Sequence, residues 1–458
     1  MKCMKTTLRT SKLLAPLTGS ICGLFAITML APLVSTPRSY ADEPRPRGAG
    51  KARTEAPEES RNNPRSPDDA LAKGLAYLLS QQHPDGGWGQ GGGWRQSTVQ
   101  RGSRVEGANV EDPSDLGNTC ISLVALLRAG HSPAQGAHRD AAAKAFDFIC
   151  LQVEQADNDS LYVTAVRDTQ IQVKIGVYVD TFLAGWALSE LKGQLPDAAQ
   201  ETRRLAALQK VTAKIERNQQ DDGSFAGNNG WAAVLSQGLC SKALNMASRS
   251  GAKVSKEALD KDQKQNRSGL DLAKGDFSAP ASTAEPTSAG VSLYREAAKL
   301  DGLREKSKAD AARKSAAETT ISDAAAPAPA KVKAKQELKE IAEDENAAKV
   351  AGSAVSGKLR DARYTAGFGN NGGEEFLSYL NVTEGLRERG GKDWDEWREK
   401  MGKTVCGAQN SDGSWAGQHC ITGRTFCTGA ALLTLLVDRR QDGVGANEAP
   451  TNSSTARK

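Results

Sequence analysis

Two kinds of amphipathic pattern alternate along this chain. Runs such as LAKGLAYLLSQQ and ETRRLAALQKVTAKIERNQQ place apolar residues three and four apart and leave the opposite face charged, which predicts helices buried on one side. NTCISLVALLRAG (118–130), DTFLAGWALSEL (180–191), WAAVLSQGLCSKALNMA (231–247), EEFLSYLNVTEGL (374–386) and RTFCTGAALLTLL (424–436) are small-residue-rich and apolar on most faces. These predict helices buried on several sides. The turns HPDGGW, QDDGSF and NSDGSW close the first kind, with Asp bonding its own backbone and Gly tolerating positive φ. Outer, half-wet helices alternating with inner, buried ones predict an all-α fold built as a closed ring of helical hairpins.

The turns sit in a fixed register. Lys73, Leu78, Gln82, Gly86 and Trp88 are echoed at the same spacing by Lys210, Ile215, Gln219, Gly223 and Phe225, and again by Lys400, Val405, Gln409, Gly413 and Trp415. Five positions matching three times indicate a repeated supersecondary unit.

The run from Lys73 to Trp88 resembles the QW motif of squalene and hopene cyclases, shared more loosely by protein prenyltransferase β subunits. That resemblance implies an (α/α)6 toroid. More narrowly, GFGNNGGEEFLSYL (367–380) and DGSWAGQHCITGRTFCTGAALLTLL (412–436) resemble secreted bacterial prenyltransferase/squalene-oxidase-repeat proteins. The resemblance covers roughly residues 70–440, interrupted by one long insertion.

At 458 residues, a ring of six helix pairs takes up most of the length as one domain with tails. Lys2, Lys5, Arg9 and Lys12 precede an apolar stretch from Leu13 to Val34, and Ser39-Tyr40-Ala41 offers a cleavage site, so residues 1–41 read as a signal peptide. An uncleaved N-terminus would instead give membrane association. Residues 42–66 read as a disordered linker, 67–440 as the toroid and 441–458 as a disordered tail. Residues 251–358 read as an irregular region with low complexity over 306–335, although 288–303 and 336–355 carry helical period. The expected location is exported, periplasmic or extracellular. Formal charge is +5 with acids and bases interspersed, so no nucleic-acid partner is expected.

Six cysteines follow the signal segment: Cys120, Cys150, Cys240, Cys406, Cys420 and Cys427. They lie in helices of a long chain, so buried free thiols are expected for most, with Cys420 and Cys427 close enough in sequence to pair or bind metal. In a ring of hairpins the inner helices start at one common mouth, where free N–H groups and the helix dipole favour polar ligands. Glu374 and Glu375 there precede Phe376 and Tyr379, and an acid beside apolar rings can serve acid chemistry. His419 and Arg424 are the accompanying catalytic candidates. The candidate ligand pocket comprises Asp115, Asn118, Thr119, Asp180, Trp186, Trp231, Phe376, Tyr379 and Phe426, with helix capping as the plainer role for Asp115, Asn118 and Asp180.

The resemblance also says what is missing. Prenyltransferase β subunits hold zinc through Asp, Cys and His, but their Asp-x-Cys and His-x2-Tyr arrangements are absent, so no cofactor is expected and His419, Cys420 and Cys427 are weak metal candidates. Class II cyclases protonate their substrate with Asp-x-Asp-Asp, which is also absent; Asp393-Trp394-Asp395-Glu396 comes nearest but introduces an outer helix. Cys406-Gly407-Ala408-Gln409 resembles the thioester of macroglobulin-type toroids, yet Gln409 is already the repeat glutamine. Two functions remain: a cyclase- or prenyltransferase-like protein holding an apolar, isoprenoid-like molecule, or a non-catalytic exported scaffold binding a protein or ligand.

Overall fold

The computed structural model describes residues 66–91, 95–96, 104–105, 111–278, 291–365, 368, 372–417 and 423–437. The segments read as signal peptide and C-terminal tail, most of the linker, His419 and Cys420 lie outside the described residues. The fold is all-α. Half-wet helices α1 (Pro67–Ser80), α3 (Arg139–Gln155), α6 (Ala198–Asn218), α8 (Lys256–Arg267), α10 (Ala328–Leu359) and α13 (Gly391–Gly407) alternate with α2 (Leu116–Arg128), α5 (Val179–Glu190), α7 (Ala233–Arg249), α9 (Ser292–Ser322), α12 (Glu374–Arg389) and α14 (Arg424–Leu436). Two short helices, α4 (Gln170–Ile175) and α11 (Ala362–Thr365), and two small hairpins complete the described elements: β1 (Arg95–Gln96) with β2 (Arg104–Val105), and β3 (Leu270–Asp271) with β4 (Asp276–Phe277).

The second set is buried on nearly every face over most of its length, as its composition predicts. Within it α2 packs on α5, α5 on α7, α7 on α9, α9 on α12, α12 on α14 and α14 on α2. Each half-wet helix lies against its partner in this series, α3 on α2, α6 on α5, α8 on α7 and α9, α10 on α9, α13 on α12 and α1 on α14.

The repeated residues form a clasp. Gln82 Nε2 donates to Gly86 O at 2.9 Å and to Ala141 O of α3 at 2.9 Å; Gln409 Nε2 donates to Gly413 O at 2.9 Å and to Ala70 O of α1 at 2.8 Å. The aromatic closes the same unit, since Trp88 Nε1 donates to Leu78 O and Trp415 Nε1 to Val405 O, both at 2.7 Å. The repeat glycine is required twice over. Gly86 and Gly413 have φ near +90, and a Cβ would lie 2.5 Å from Lys144 O of α3 and from Lys73 O of α1 respectively. Gly74 leaves room on α1 for Trp415 and Leu432, where a Cβ would come within 2.7 Å of each. Each clasp therefore grips a neighbouring half-wet helix, and the last one grips the first.

The middle copy departs from this. The Phe225 ring has no N–H to give, and Gln237 Nε2 from α7 donates to the Gly223 carbonyl at 3.0 Å, leaving both amide atoms of buried Gln219 without a partner among the described residues. Gln409→Ala is expected to cost about 1–3 kcal/mol, because two carbonyls lose their donor. Gln219→Ala should be nearly neutral, and urea unfolding of the two variants checks the contrast.

The 251–358 region requires correction. It holds all of α8, α9 and nearly all of α10, and the low-complexity stretch 306–335 is helical apart from the turn at 323–327. With 31 and 32 residues, α9 and α10 run about 46–48 Å, against about 20 Å for α2. Ala317, Ala334, Ile341, Ala347 and Ala351 are buried on this pair, and Arg313–Glu337 (2.9 Å) and Lys314–Glu345 (2.8 Å) link the two helices. Alanine is the strongest helix former, so a composition that reads as low complexity supports two long helices.

Candidate functional site

Three carboxylates are buried at the starts of α2, α5 and α12. Asp115 is the N-cap of α2: one oxygen accepts from Asn118 N at 2.8 Å, the other from Asn118 Nδ2 at 2.8 Å and Gln90 Nε2 at 2.7 Å. Burial, reinforced by the nearby Asp180 charge, lifts its pKa to about 8. Asp180 is lifted to about 6 by burial, against a hydrogen bond from Gln172 Nε2 and the charge of Arg167. Gly117 makes room for it, since a Cβ there would sit 2.5 Å from Asp180 Oδ1.

Glu374 is the barest of the three. It opens α12 at 1% exposure, and no other described residue hydrogen-bonds either carboxyl oxygen. Burial raises its pKa to about 7, partly opposed by its own backbone N–H and by the charge of Lys174. A group whose folded pKa lies above its unfolded value stabilises the fold fully below about pH 4.5, and that contribution is lost as pH rises through 7. Glu374→Gln is therefore expected to flatten the fall in unfolding temperature between pH 5 and 8 and to stabilise at pH 8 by about 1–3 kcal/mol, measured by thermal melts across that range. Asp115, Asp180 and Asp262, the last lifted to about 7 by burial, act with the same sign.

Other predicted pocket residues have different positions. Thr119 Oγ1 accepts from Trp88 N at 2.9 Å and so belongs to the first clasp. Tyr379 stacks among Phe368 and Trp397, with ring centroids 5.4 and 6.4 Å away, on the α13 side rather than in a pocket; Phe376 lies 6.2 Å from it. Arg424 binds the Asp412 carboxylate (3.0 Å) and Ser414 Oγ (3.2 Å), locking the last turn. Phe426 and Cys427 are core residues, and Cys120, Cys150, Cys240 and Cys406 are free, buried cysteines. Trp231 precedes α7 and is 50% exposed. Glu375 is buried beside Glu374 in the first turn of α12.

Trp186 belongs to a second polar centre, deeper in the molecule. Its indole lies under Lys242 Nζ (4.5 Å) and the Arg128 guanidinium (5.3 Å), and its Nε1 donates to Glu190 at 3.1 Å. Arg128 pairs with Glu190 (2.6 Å) and Glu384 (2.5 Å); Lys242 pairs with Glu384 (2.8 Å) and Asp301 (3.3 Å). Arg304 holds Asp301, Glu305 and Glu384, each at 2.6 Å, and Arg249 closes on Glu305. Burial disfavours the charges of Arg128 and Arg304, but their carboxylate neighbours hold both guanidiniums above their ordinary pKa. Burial also pushes Glu305 up, yet Arg304, Arg249 and Lys242 outweigh it and bring the carboxyl down to about 2.

No family model matches this chain, and no curated protein matches its sequence. The chemistry has to be read from the two centres themselves. Asp301, Glu305 and Glu384 present oxygens within 4.8 Å of one another, a spacing that could hold an ion. Lys242, Arg249 and Arg304 already neutralise these oxygens, so the group is an ion-pair network. Composition gives no direct sign of it, because each member resembles an ordinary solvated charge. The available signal is Lys242 and Glu384 lying within runs that are otherwise small and apolar.

Proposed function

We propose that this chain is an (α/α)6 toroid of the terpenoid cyclase and prenyltransferase type that works outside the cytoplasm as a binding scaffold, not as a cyclase. The contact series from α2 round to α14 and back to α2, with a half-wet helix against each member, supports the toroid. The observation that carries the scaffold reading is the ion network. Arg128, Lys242, Asp301, Arg304, Glu305 and Glu384 are buried side chains on four of the inner helices, α2, α7, α9 and α12, where an isoprenoid-binding protein needs an apolar lining. A hydrocarbon placed against these charges would compete with their ion pairs and satisfy none of them.

The cyclase-like alternative draws on Glu374, a buried carboxyl with a pKa of about 7, suited to proton donation near neutrality. Incubating the purified mature protein with squalene and with isoprenoid diphosphates, followed by mass spectrometry, separates the two. The scaffold reading expects every substrate recovered unchanged. A cyclised or prenylated product that disappears in Glu374→Gln would overturn it.

A further inference from the structure

Helices α8 and α10 both pack on α9, and a cleft of about 640 Å³ opens among the three. That volume lies in the range of small-molecule sites. Ile341 is the one apolar side chain among the described residues that line it, so apolar burial does not draw its walls together. Charge does the bridging instead. Gln263 Nε2 of α8 donates to Asp344 Oδ1 of α10 at 2.8 Å, Arg267 pairs with Asp344 at 3.4 Å and donates to Glu343 O at 3.3 Å, and Lys306 of α9 lies 3.3 Å from Asp344. Near the start of α8, Lys256 pairs with Asp260 at 2.7 Å and stands 3.8 Å from Glu340. Lys256 and Arg267 are about 16 Å apart along the helix, so α8 is linked to α10 at two well-separated points.

Lys264 of α8 and Glu343 of α10 line the same cleft and stay out of this pairing. Both residues are exposed, and no described residue bonds either side-chain charge. The links through Gln263 and Arg267 set the spacing of the two walls, and Lys264 and Glu343 remain apart across it. Gln263 contributes a further vacancy. Its amide also lines the cleft and is 5% exposed, and its Oε1 has no donor among the described residues, which is costly until a donor reaches it. The pairings thus leave over one cation, one anion and one neutral acceptor on the walls of one cleft.

We propose that the cleft between α8, α9 and α10 binds a small zwitterion, a free amino acid or a short peptide with unblocked ends. Its carboxylate pairs with Lys264, its ammonium pairs with Glu343, and one of its N–H groups supplies the donor that Gln263 Oε1 lacks. A simple anion would suit Lys264 and meet the carboxylates of Glu340, Glu343 and Asp344; a simple cation would suit Glu343 and meet Lys264, Arg267 and Lys306. A hydrocarbon would find only Ile341. The site lies apart from the buried ion network, so the inference goes beyond the scaffold reading and does not depend on it.

The test is calorimetric titration of the full chain with glycine and with tetraglycine. At least one is expected to bind, and the tighter of the two tells a free amino acid from a peptide. Lys264→Gln and Glu343→Gln should each weaken that binding tenfold or more. Both side chains are exposed, so neither variant should move the unfolding temperature, and a loss of binding cannot be ascribed to misfolding. Blocking either end of the tighter ligand, by N-acetylation or by C-terminal amidation, should also cost tenfold or more. Absence of binding by both ligands, or undiminished binding by both variants, overturns the site. A blocked form that binds as tightly as the free one overturns the zwitterion, as does tighter binding of inorganic phosphate or tetramethylammonium. The scaffold reading survives any of these results, since it is decided by the fate of squalene and the isoprenoid diphosphates.

Discussion

Glu384→Ala is expected to lower the free energy of unfolding by about 3–5 kcal/mol, the largest effect of any single charge in the molecule. Its carboxylate is shared by Arg128 (2.5 Å), Lys242 (2.8 Å) and Arg304 (2.6 Å), from three different helices. Removing it leaves three buried cations facing one another without their common partner. The comparison that isolates this cause is Glu384→Gln, which keeps the shape and a hydrogen-bonding oxygen but removes the charge; it should recover only a small part of the loss. Chemical denaturation of both variants checks the ranking. Trp186 supplies a local optical signal, because its ring lies under two of the stranded cations. A cost below about 1 kcal/mol for Glu384→Ala would show that the network is solvated and weak.

Trp415→Ala should cost a similar amount, about 3–5 kcal/mol, for a different reason. The side chain is fully buried, its Nε1–H occupies the Val405 carbonyl at 2.7 Å, and its ring fills the space that Gly74 leaves open on α1. Truncation opens a cavity between α1 and α14 and removes one of two donors to the Val405 carbonyl, which keeps Ala408 N at 3.2 Å. Trp415→Phe should restore most of the packing but not the hydrogen bond, and Phe225 in the middle copy shows that the unit accepts this exchange. Urea midpoints of the two variants measure the separate contributions of volume and hydrogen bond.

These two residues differ in how far they could be anticipated. Trp415 was visible because a local turn needs Asp, Gly and an aromatic at set intervals, and local requirements leave a periodic trace. What the trace omits is the helix being gripped, since Ala70 and Lys73 lie more than 300 residues away from Gln409 and Gly413 in the chain. Glu384 left no trace of its own, because a charge on a helix reads as solvated until its neighbours are known to be buried. Asp115 could be read from sequence as a cap, and that is its structural role. Helical period assigned Trp186 a face and not a depth, and gave no sign that its indole lies against Lys242 and Arg128. The α9–α10 pair was legible in part, through the helical period of 288–303 and 336–355, whereas the stretch between was hidden by an alanine-rich composition that leaves no apolar period.

The grip of the last turn on the first helix has a consequence for biogenesis. Gln409 meets Ala70 across 339 positions of chain, so this contact cannot form until almost the whole polypeptide has left the ribosome. Until then α1 has no partner for the face that receives Trp415 and Leu432, and a greasy strip is open to any other unfinished chain. That face of α1 stays uncovered during synthesis, and truncations that remove Trp415 should therefore loosen α1 first.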